Sequence, residues 1–390
     1  MTNSVPKNFM VVVKVANARV LLVIDALYVG GTETHVLGLA KELIKNNVFV
    51  AIAARKKGSL VSTFEALNCP IYHVDFPSTL NLEKKLVEKI EEIIEAEKIS
   101  LVHFHQTPSG YLAGNAAKNK GIATVFTVHG TYYPDEEIRK LLALSDSVIC
   151  VSPPLCEYIK SFGVKRTHLI PNGINLEEYP TNFVSDALKN ELKIPKEAIV
   201  VLYASRIAWA KANVCTMFLR ACKDLKLNVF PNLHVLVVGD GDRLGDIRNL
   251  AHYIEKLCND SFIHIVGEQM NMHAYYSLAD CVVGTGRVAL EAMASEKSVL
   301  AVGNHGYFGA VTQENIDEAW AYYFGDHGSK SHCSRHILRD NLKKLLLDKE
   351  ALKLNGLKSR EIVEEKFNIQ NLATEIIKVY TETIKGGSEI

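Results

Sequence analysis

No charge of one sign dominates this chain of 390 residues. Lys and Arg number 44 and Asp and Glu number 44, so the formal net charge is zero. A protein built mainly to hold nucleic acid carries a basic excess, so that class is set aside. No apolar run approaches the roughly 18 residues of a spanning helix. Lys14, Arg19 and Asp25 cut the apolar stretches near the start, and Phe9–Val13 is too short for a signal-peptide core. A cytoplasmic protein is expected, with peripheral contact to the inner face of a membrane left open. The eight cysteines are scattered and form no C-x-x-C pair, which points to reduced core residues rather than a zinc or redox motif. One Cys/His cluster exists, at His327, His332, Cys333 and His336. His332 and His336 have the spacing of a helical metal clamp, but no acidic or cysteine partner stands at standard distance, and a solvated loop leading into a helix is the plainer reading.

What is present is ordinary for a globular core: 48% hydrophobic and 23% charged residues. At roughly 100–200 residues per domain the length suggests two domains. Val20–Ile24, Val48–Ala54, Leu101–His105, Ile122–Val128 and Ser147–Ser152 read as strands without polar alternation. Between them, Val36, Leu39, Ala40, Leu43 and Ile44, and then Leu82 to Ile94, repeat at helical spacing. Unalternating strands separated by helices imply a parallel sheet covered on both faces. The pattern restarts with strands at Ala198–Ser205, Val235–Gly239, Phe262–Gly267, Cys281–Gly284 and Ser298–Val302, with helices near Val214–Leu227, Asp246–Leu257 and Leu290–Ala294. A polar stretch carrying Pro180 and Pro195 separates the halves. The expected architecture is α/β: two doubly wound, Rossmann-like domains over residues 1–185 and 186–370, with residues 371–390 a terminal helix packing back on the first domain. Ligands of such folds sit in the crevice beyond the strand C-termini, where helix N-termini offer unpaired N–H groups.

Four segments fall at those strand ends. Gly30-Gly31-Thr32-Glu33-Thr34 follows the first strand; its glycines allow a close backbone approach, Thr32 or Thr34 can cap the next helix, and a plain turn fits equally well. Arg206 and Lys211 stand five apart after the first strand of the second half, where both can reach one anion or simply face water. Asp240-Gly241-Asp242 reads as a polar turn rather than a metal-holding pair. Gly284-Thr285-Gly286-Arg287 opens a helix that carries Glu291, a carboxylate among apolar neighbours that needs a partner such as ribose hydroxyls. His129 ends an apolar strand and reads as functional from its His-Gly-Thr context. Asn172 is assigned a structural place near the hinge. His103 and His105 are read as alternating along a strand, so that only one would reach the crevice, and neither is given a role.

These segments resemble, in order and over nearly the whole length, the GT-B fold glycosyltransferases of family 4, which are retaining and nucleotide-sugar dependent. The matching stretches are "GGTETHVLGLAKEL", "TVHGTY", "VSPPLCEYI", "IPNGIN", "SRIAWAKA", "LVVGDGD", "FIHIVG" and "YYSLADCVVGTGRVALEAMASEKSVLAV". The resemblance implies that Gly30 and Gly31 lie against the distal phosphate. It implies that His129 contacts a donor-sugar hydroxyl, that Arg206 and Lys211 hold the diphosphate, and that Glu291 grips the ribose. The backbone after Gly267, from Glu268 to Met270, would meet the base. The family usually shows E-x7-E, and the first Glu, which contacts the transferred sugar, falls at Val283 here. The usual "EGFG" is Val283-Gly284-Thr285-Gly286, and Arg287 beside it is a candidate compensation facing the phosphates. Gly303–Gly309 lies where the family's donor-sugar loop lies and is not decoded.

The implied reaction moves a hexose-type sugar to a glycan or lipid-linked acceptor. The family's route is same-face attack, in which the departing phosphate takes the acceptor proton, so neither a carboxylate nucleophile nor a metal cofactor is expected. A glycine turn followed by a ribose-binding Glu is also similar to the lipid-intermediate N-acetylglucosaminyl transferases of the same fold, which favours a UDP donor over GDP. Two alternatives stay open: an epimerase or hydrolase of nucleotide sugars on the same fold, and a non-catalytic nucleotide-sugar-binding homologue, the latter because of Val283.

Overall fold

The computed structural model describes residues 18–181 and 183–386; Phe9–Val13 and Lys14 lie outside the described residues. In the first half the apolar runs become Arg19–Ala26 (β1), Phe49–Arg55 (β2), Ile71–His73 (β3), Leu101–Phe104 (β4), Ala123–Val128 (β5), Ser147–Cys150 (β6) and Thr167–Leu169 (β7). They form one sheet in the order β3-β2-β1-β4-β5-β6-β7, with every pairing parallel. β1 is apolar on both faces because both are covered: Leu21 and Val23 enter one core cluster, Val20, Leu22 and Ile24 another.

The second half repeats the scheme with Ile199–Ala204 (β8), Leu233–Val238 (β9), Ile263–Gly267 (β10), Cys281–Gly284 (β11), Ser298–Gly303 (β12) and Gly306–Ala310 (β13), ordered β10-β9-β8-β11-β12-β13. Both sheets are doubly wound, and each reverses its strand order beside its first strand, the position that opens a ligand crevice. β13 runs antiparallel to β12. The undecoded segment at Gly303–Gly309 is therefore the hairpin that ends this sheet. Its glycines explain why no strand was legible there: a run with two glycines in five residues has little apolar signature. β3 and β7 were missed because each has only three residues and no fully buried face.

The chain leaves the second lobe through Phe367, whose carbonyl accepts from Ile174 N–H at 2.7 Å, while Ile369 N–H donates to the Ile174 carbonyl at 3.0 Å. The last described helix, Ile369–Gly386, then lies on the first sheet. Leu372, Ala373, Ile376, Ile377 and Tyr380 join the core around β1 and β2. Two buried polar contacts fix its register: Tyr380 hydroxyl to His103 Nδ1 at 2.7 Å, and Thr383 to Ser147 at 2.8 Å. All eight cysteines are free thiols; Cys150, Cys156, Cys215, Cys222 and Cys281 are buried. His332 precedes the helix Arg335–Leu347 and His336 lies within it, both exposed, so the pair is not a helical clamp.

Candidate active site between the lobes

β8 ends at Ala204, and the chain turns through Ser205–Ala208 into the helix Trp209–Asn228. Two glycines brace this turn from behind. Gly239 and Gly241 adopt φ of +132° and +157°, and a Cβ on either would collide with the carbonyl oxygen of Ser205 or Ile207. Ile207 N–H donates to the Asp240 carbonyl at 2.9 Å, and Arg243 N–H donates to the Ile207 carbonyl at 3.1 Å. Asp240-Gly241-Asp242 is thus the polar turn its sequence suggested, and it fixes the loop that carries Arg206. The exposed Arg206 reaches the first lobe: a Cβ built on Gly30 would lie 3.4 Å from its Nη2. Lys211 lies in the first turn of the helix, with Nζ 3.3 Å from Asp326.

Three helices point uncapped N-termini toward this region. The helix Gly31–Lys45 has Gly30 as its N-cap and no side-chain cap. Thr34, an expected cap, instead donates its hydroxyl to the Gly30 carbonyl at 2.7 Å, and Thr32 makes no cap either. The helices Trp209–Asn228 and Gly286–Ala294 also lack side-chain caps. Thr285, ahead of the latter, spends its hydroxyl on the Phe324 carbonyl at 2.8 Å. Free N–H groups at helix starts are anion sites. Gly286 has φ +52°, which glycine tolerates; Trp209 takes the equivalent position with φ +46° at a cost of about 1–2 kcal/mol and is largely exposed.

Carboxylates balance the cations of the crevice. Glu33 accepts from Gln106 Nε2 at 2.9 Å, and burial pushes its carboxyl up while the Arg206 charge opposes that rise. Asp25 behind it accepts from Ser109 N–H at 3.0 Å and is likewise raised by burial. Glu268, just after Gly267 (φ +74°), accepts from Ser59 of the first lobe at 2.9 Å, so the segment expected to meet the base also spans the crevice.

At the C-terminal ends of β4 and β5 lies a group of imidazoles. His105 Nδ1 is 3.2 Å from His129 Nε2, and the His35 ring centroid is 5.2 Å from that of His129. His103 is fully partnered by Tyr380 and by Thr127 at 2.7 Å. Burial holds all four rings neutral, His35 down to about 3 and the others well below the usual histidine value. The reading that His103 and His105 face opposite ways is overturned: their ring centroids are 4.1 Å apart, because residues two apart on a strand share a face. His327, from the second lobe, bonds Ser152 at 2.7 Å and the His129 backbone, and stacks on Tyr323 at 4.4 Å.

Comparison with known proteins decides the family. The profile of Glycosyltransferase Family 4 matches residues 29–178, and that of Glycosyl transferases group 1 matches residues 184–344. This chain belongs to the family-4 type glycosyltransferases. It is 24% identical over 376 residues to the lipopolysaccharide 1,2-N-acetylglucosaminetransferase of Salmonella typhimurium, covering 87% of this chain and 91% of that one. It is 25% identical over 183 residues to the UDP-Gal:alpha-D-GlcNAc-diphosphoundecaprenol alpha-1,3-galactosyltransferase of Escherichia coli, covering 43% and 47%. The fold matches HepE of Anabaena, solved in complex with UDP and glucose, with a TM-score of 0.74 at 16% identity, covering 94% of this chain and all of that one. The architecture is GT-B.

Within this glycosyltransferase two expectations need correction. Val283 is not a site position that has lost its carboxylate. It lies in the interior of β11, fully buried, paired with Leu300 and Tyr203. Only Thr285 separates β11 from the helix Gly286–Ala294, so counting eight residues back from Glu291 lands in the core. The connection is a single residue, and its side chain is the Thr285 hydroxyl already bonded to the Phe324 carbonyl. Gly284 is buried in the same way, and a Cβ on it would lie 2.5 Å from a methyl of Val288.

Arg287 also differs from expectation. Its Nε donates to Glu291 Oε1 at 2.7 Å and its Nη1 to the Gly173 carbonyl of the first lobe at 3.2 Å, so it ties helix to hinge rather than standing ready for phosphate. Glu291 is satisfied on both oxygens, since Tyr276 donates to Oε2 at 3.0 Å. A ribose would have to share this carboxylate with its protein partners. Asn172 donates to the Tyr323 hydroxyl at 2.6 Å, a further tie between the lobes.

Sequence reasoning gave no role to His35, His105, Glu33 or Asp326. His35 had one available signal: a histidine on the apolar stripe formed by Val36, Leu39 and Leu43 is a polar group placed inward.

Proposed function

We propose that this glycosyltransferase transfers a hexose-type sugar, with retention, from a UDP-sugar to a glycan or lipid-linked acceptor. The observation that carries the reading is the approach of Arg206 on one lobe to Gly30 on the other, beside the uncapped helix Gly31–Lys45 and with Lys211 in the first turn of the helix Trp209–Asn228. Negative charge grows on the nucleoside diphosphate as the glycosidic bond breaks. Fixed cations and helix N-termini stabilise it without needing to reorganise. Arg206 and Lys211 would take the diphosphate, Gly30 and Gly31 would lie against the distal phosphate, and Glu291 would reach the ribose. The Glu268–Met270 backbone would meet the base, and His129 would contact a sugar hydroxyl. Because these groups supply the positive field, turnover without a metal cofactor is part of the reading.

The UDP and glucose bound by HepE support a UDP donor. The lipopolysaccharide and diphosphoundecaprenol acceptors named for the two relatives support a glycan or lipid-linked acceptor. Among the described residues no helix is long and apolar enough to cross a membrane. An acceptor of that kind would be met by a cytoplasmic enzyme bound peripherally to the inner membrane face. The test is a thermal-shift panel of UDP, GDP, ADP and dTDP sugars, followed by NMR of the product's anomeric centre. Stabilisation by UDP compounds and a retained anomer are expected; inversion, or isomerisation of the donor without an acceptor, would overturn the proposal.

A further inference from the structure

The imidazole group at the ends of β4 and β5 contains more than His129 needs. His35 is 3% exposed and His105 1% exposed. Neither ring nitrogen of His35 has a hydrogen-bond partner, and neither does Nε2 of His105. Buried polar atoms without a partner are rare, and each calls for a reason, an absent ligand among them. One ligand atom from each of His35, His105 and His129 fits within a span of 4.8 Å.

Two kinds of partner suit three imidazoles, and their surroundings distinguish them. A divalent cation would add two charges at a buried place where the charged neighbour acting on His35 is the Arg287 guanidinium, and no carboxylate is among the groups acting on the three rings. Such a charge would be uncompensated. A neutral hydroxylated ring carries no such penalty. Each neutral imidazole has one donor and one acceptor nitrogen, and each hydroxyl can give and take a hydrogen bond.

The position selects the donor rather than the acceptor. Lys211 meets Asp326, and the next residue, His327, bonds the His129 backbone. Asp326 and His327 thus connect Lys211, one of the cations assigned to the diphosphate, to the strand end that carries His129. We infer that His35 and His105 join His129 as a neutral cradle for the hydroxyls of the donor's sugar ring. His35 and His105 would then set which sugar is accepted. This rests on the donor-site reading given above.

The experiment is calorimetric titration of UDP, UDP-glucose, UDP-galactose and UDP-N-acetylglucosamine into the wild type and into His35→Ala, His105→Ala and His105→Gln. The readout is the ratio of UDP-sugar affinity to UDP affinity. The alanine variants are expected to keep UDP binding within twofold, which also reports an intact fold. They should lower the ratio for the preferred sugar by about tenfold, with His105→Gln recovering part of it. An unchanged ratio with normal UDP binding overturns the cradle and leaves the donor site standing. Failure of the wild type to bind any of the four overturns both. A visible d–d absorption on adding Co2+ to the wild type, lost in His35→Ala, would show a metal site instead and also overturns the cradle.

Discussion

Lys211 and Asp326 form an ion pair that the proposed diphosphate would have to exchange, and replacing Asp326 tests it. The two side chains are 24% and 20% exposed and 3.3 Å apart. At an effective dielectric of about 20, the gross attraction at that distance is about 5 kcal/mol. Lost solvation and partial screening offset most of it, leaving about 1 kcal/mol net. In the proposed function a diphosphate arriving at Lys211 loosens that pair. Asp326→Asn keeps the shape and removes the competition, so UDP affinity should rise about fivefold while stability falls by about 1 kcal/mol. Lys211→Ala removes the cation itself. Loss of one transition-state donor costs about 2.7–4 kcal/mol, a drop of about 10²–10³ in turnover. The assays are calorimetric titration of UDP and initial rates with the donor identified by the panel. The reasoning fails if Asp326→Asn weakens UDP binding tenfold, or if Lys211→Ala turns over like the wild type.

Other expectations follow from the same geometry. Arg287→Ala strands the Glu291 carboxylate, whose side chain is 10% exposed, and should cost about 3–5 kcal/mol in denaturant unfolding. Joint replacement of Arg287 and Glu291 by leucine should recover much of that; equal loss in both variants would show that the charge was not the cause. Gly239→Ala forces a Cβ into the Ser205 carbonyl and should weaken UDP binding together with stability, whereas a well-folded variant with normal UDP affinity would contradict the brace. For pH, the sign follows from His35, held at about 3 in the fold against a usual value near 6.5. The unfolded chain binds the proton first, so stability is full above about pH 6.5 and is lost as pH falls toward 3, by about 1.4 kcal/mol per pH unit for this residue. His103, His105 and His129 add in the same direction. Urea midpoints that stay constant from pH 7 to 5 would refute this.

The sequence was most readable where one interaction dominates. β1 and β8 are continuous apolar runs because both sheet faces are covered, and the helices between strands carried their spacing openly. The Arg206 and Lys211 step was legible because the strand end and the helix start fix it locally. What failed depended on contacts distant in sequence. Nothing near Glu291 announces that Tyr276 and Arg287 already satisfy it. The count that placed Val283 in the site assumed a longer strand-to-helix connection than the one Thr285 provides. His35 and His105 lie 70 residues apart and meet only because β4 pairs with β1, the strand that feeds the helix carrying His35.

The central claim is that Arg206 and Lys211 hold the pyrophosphate of the donor. Calorimetric titration of UDP and of uridine into the wild type and the Arg206→Ala/Lys211→Ala double variant addresses it directly. Two charge-assisted contacts at about 1.5–3 kcal/mol each predict at least about a hundredfold loss for UDP, with uridine binding unchanged. UDP affinity in the double variant within threefold of wild type would contradict the account.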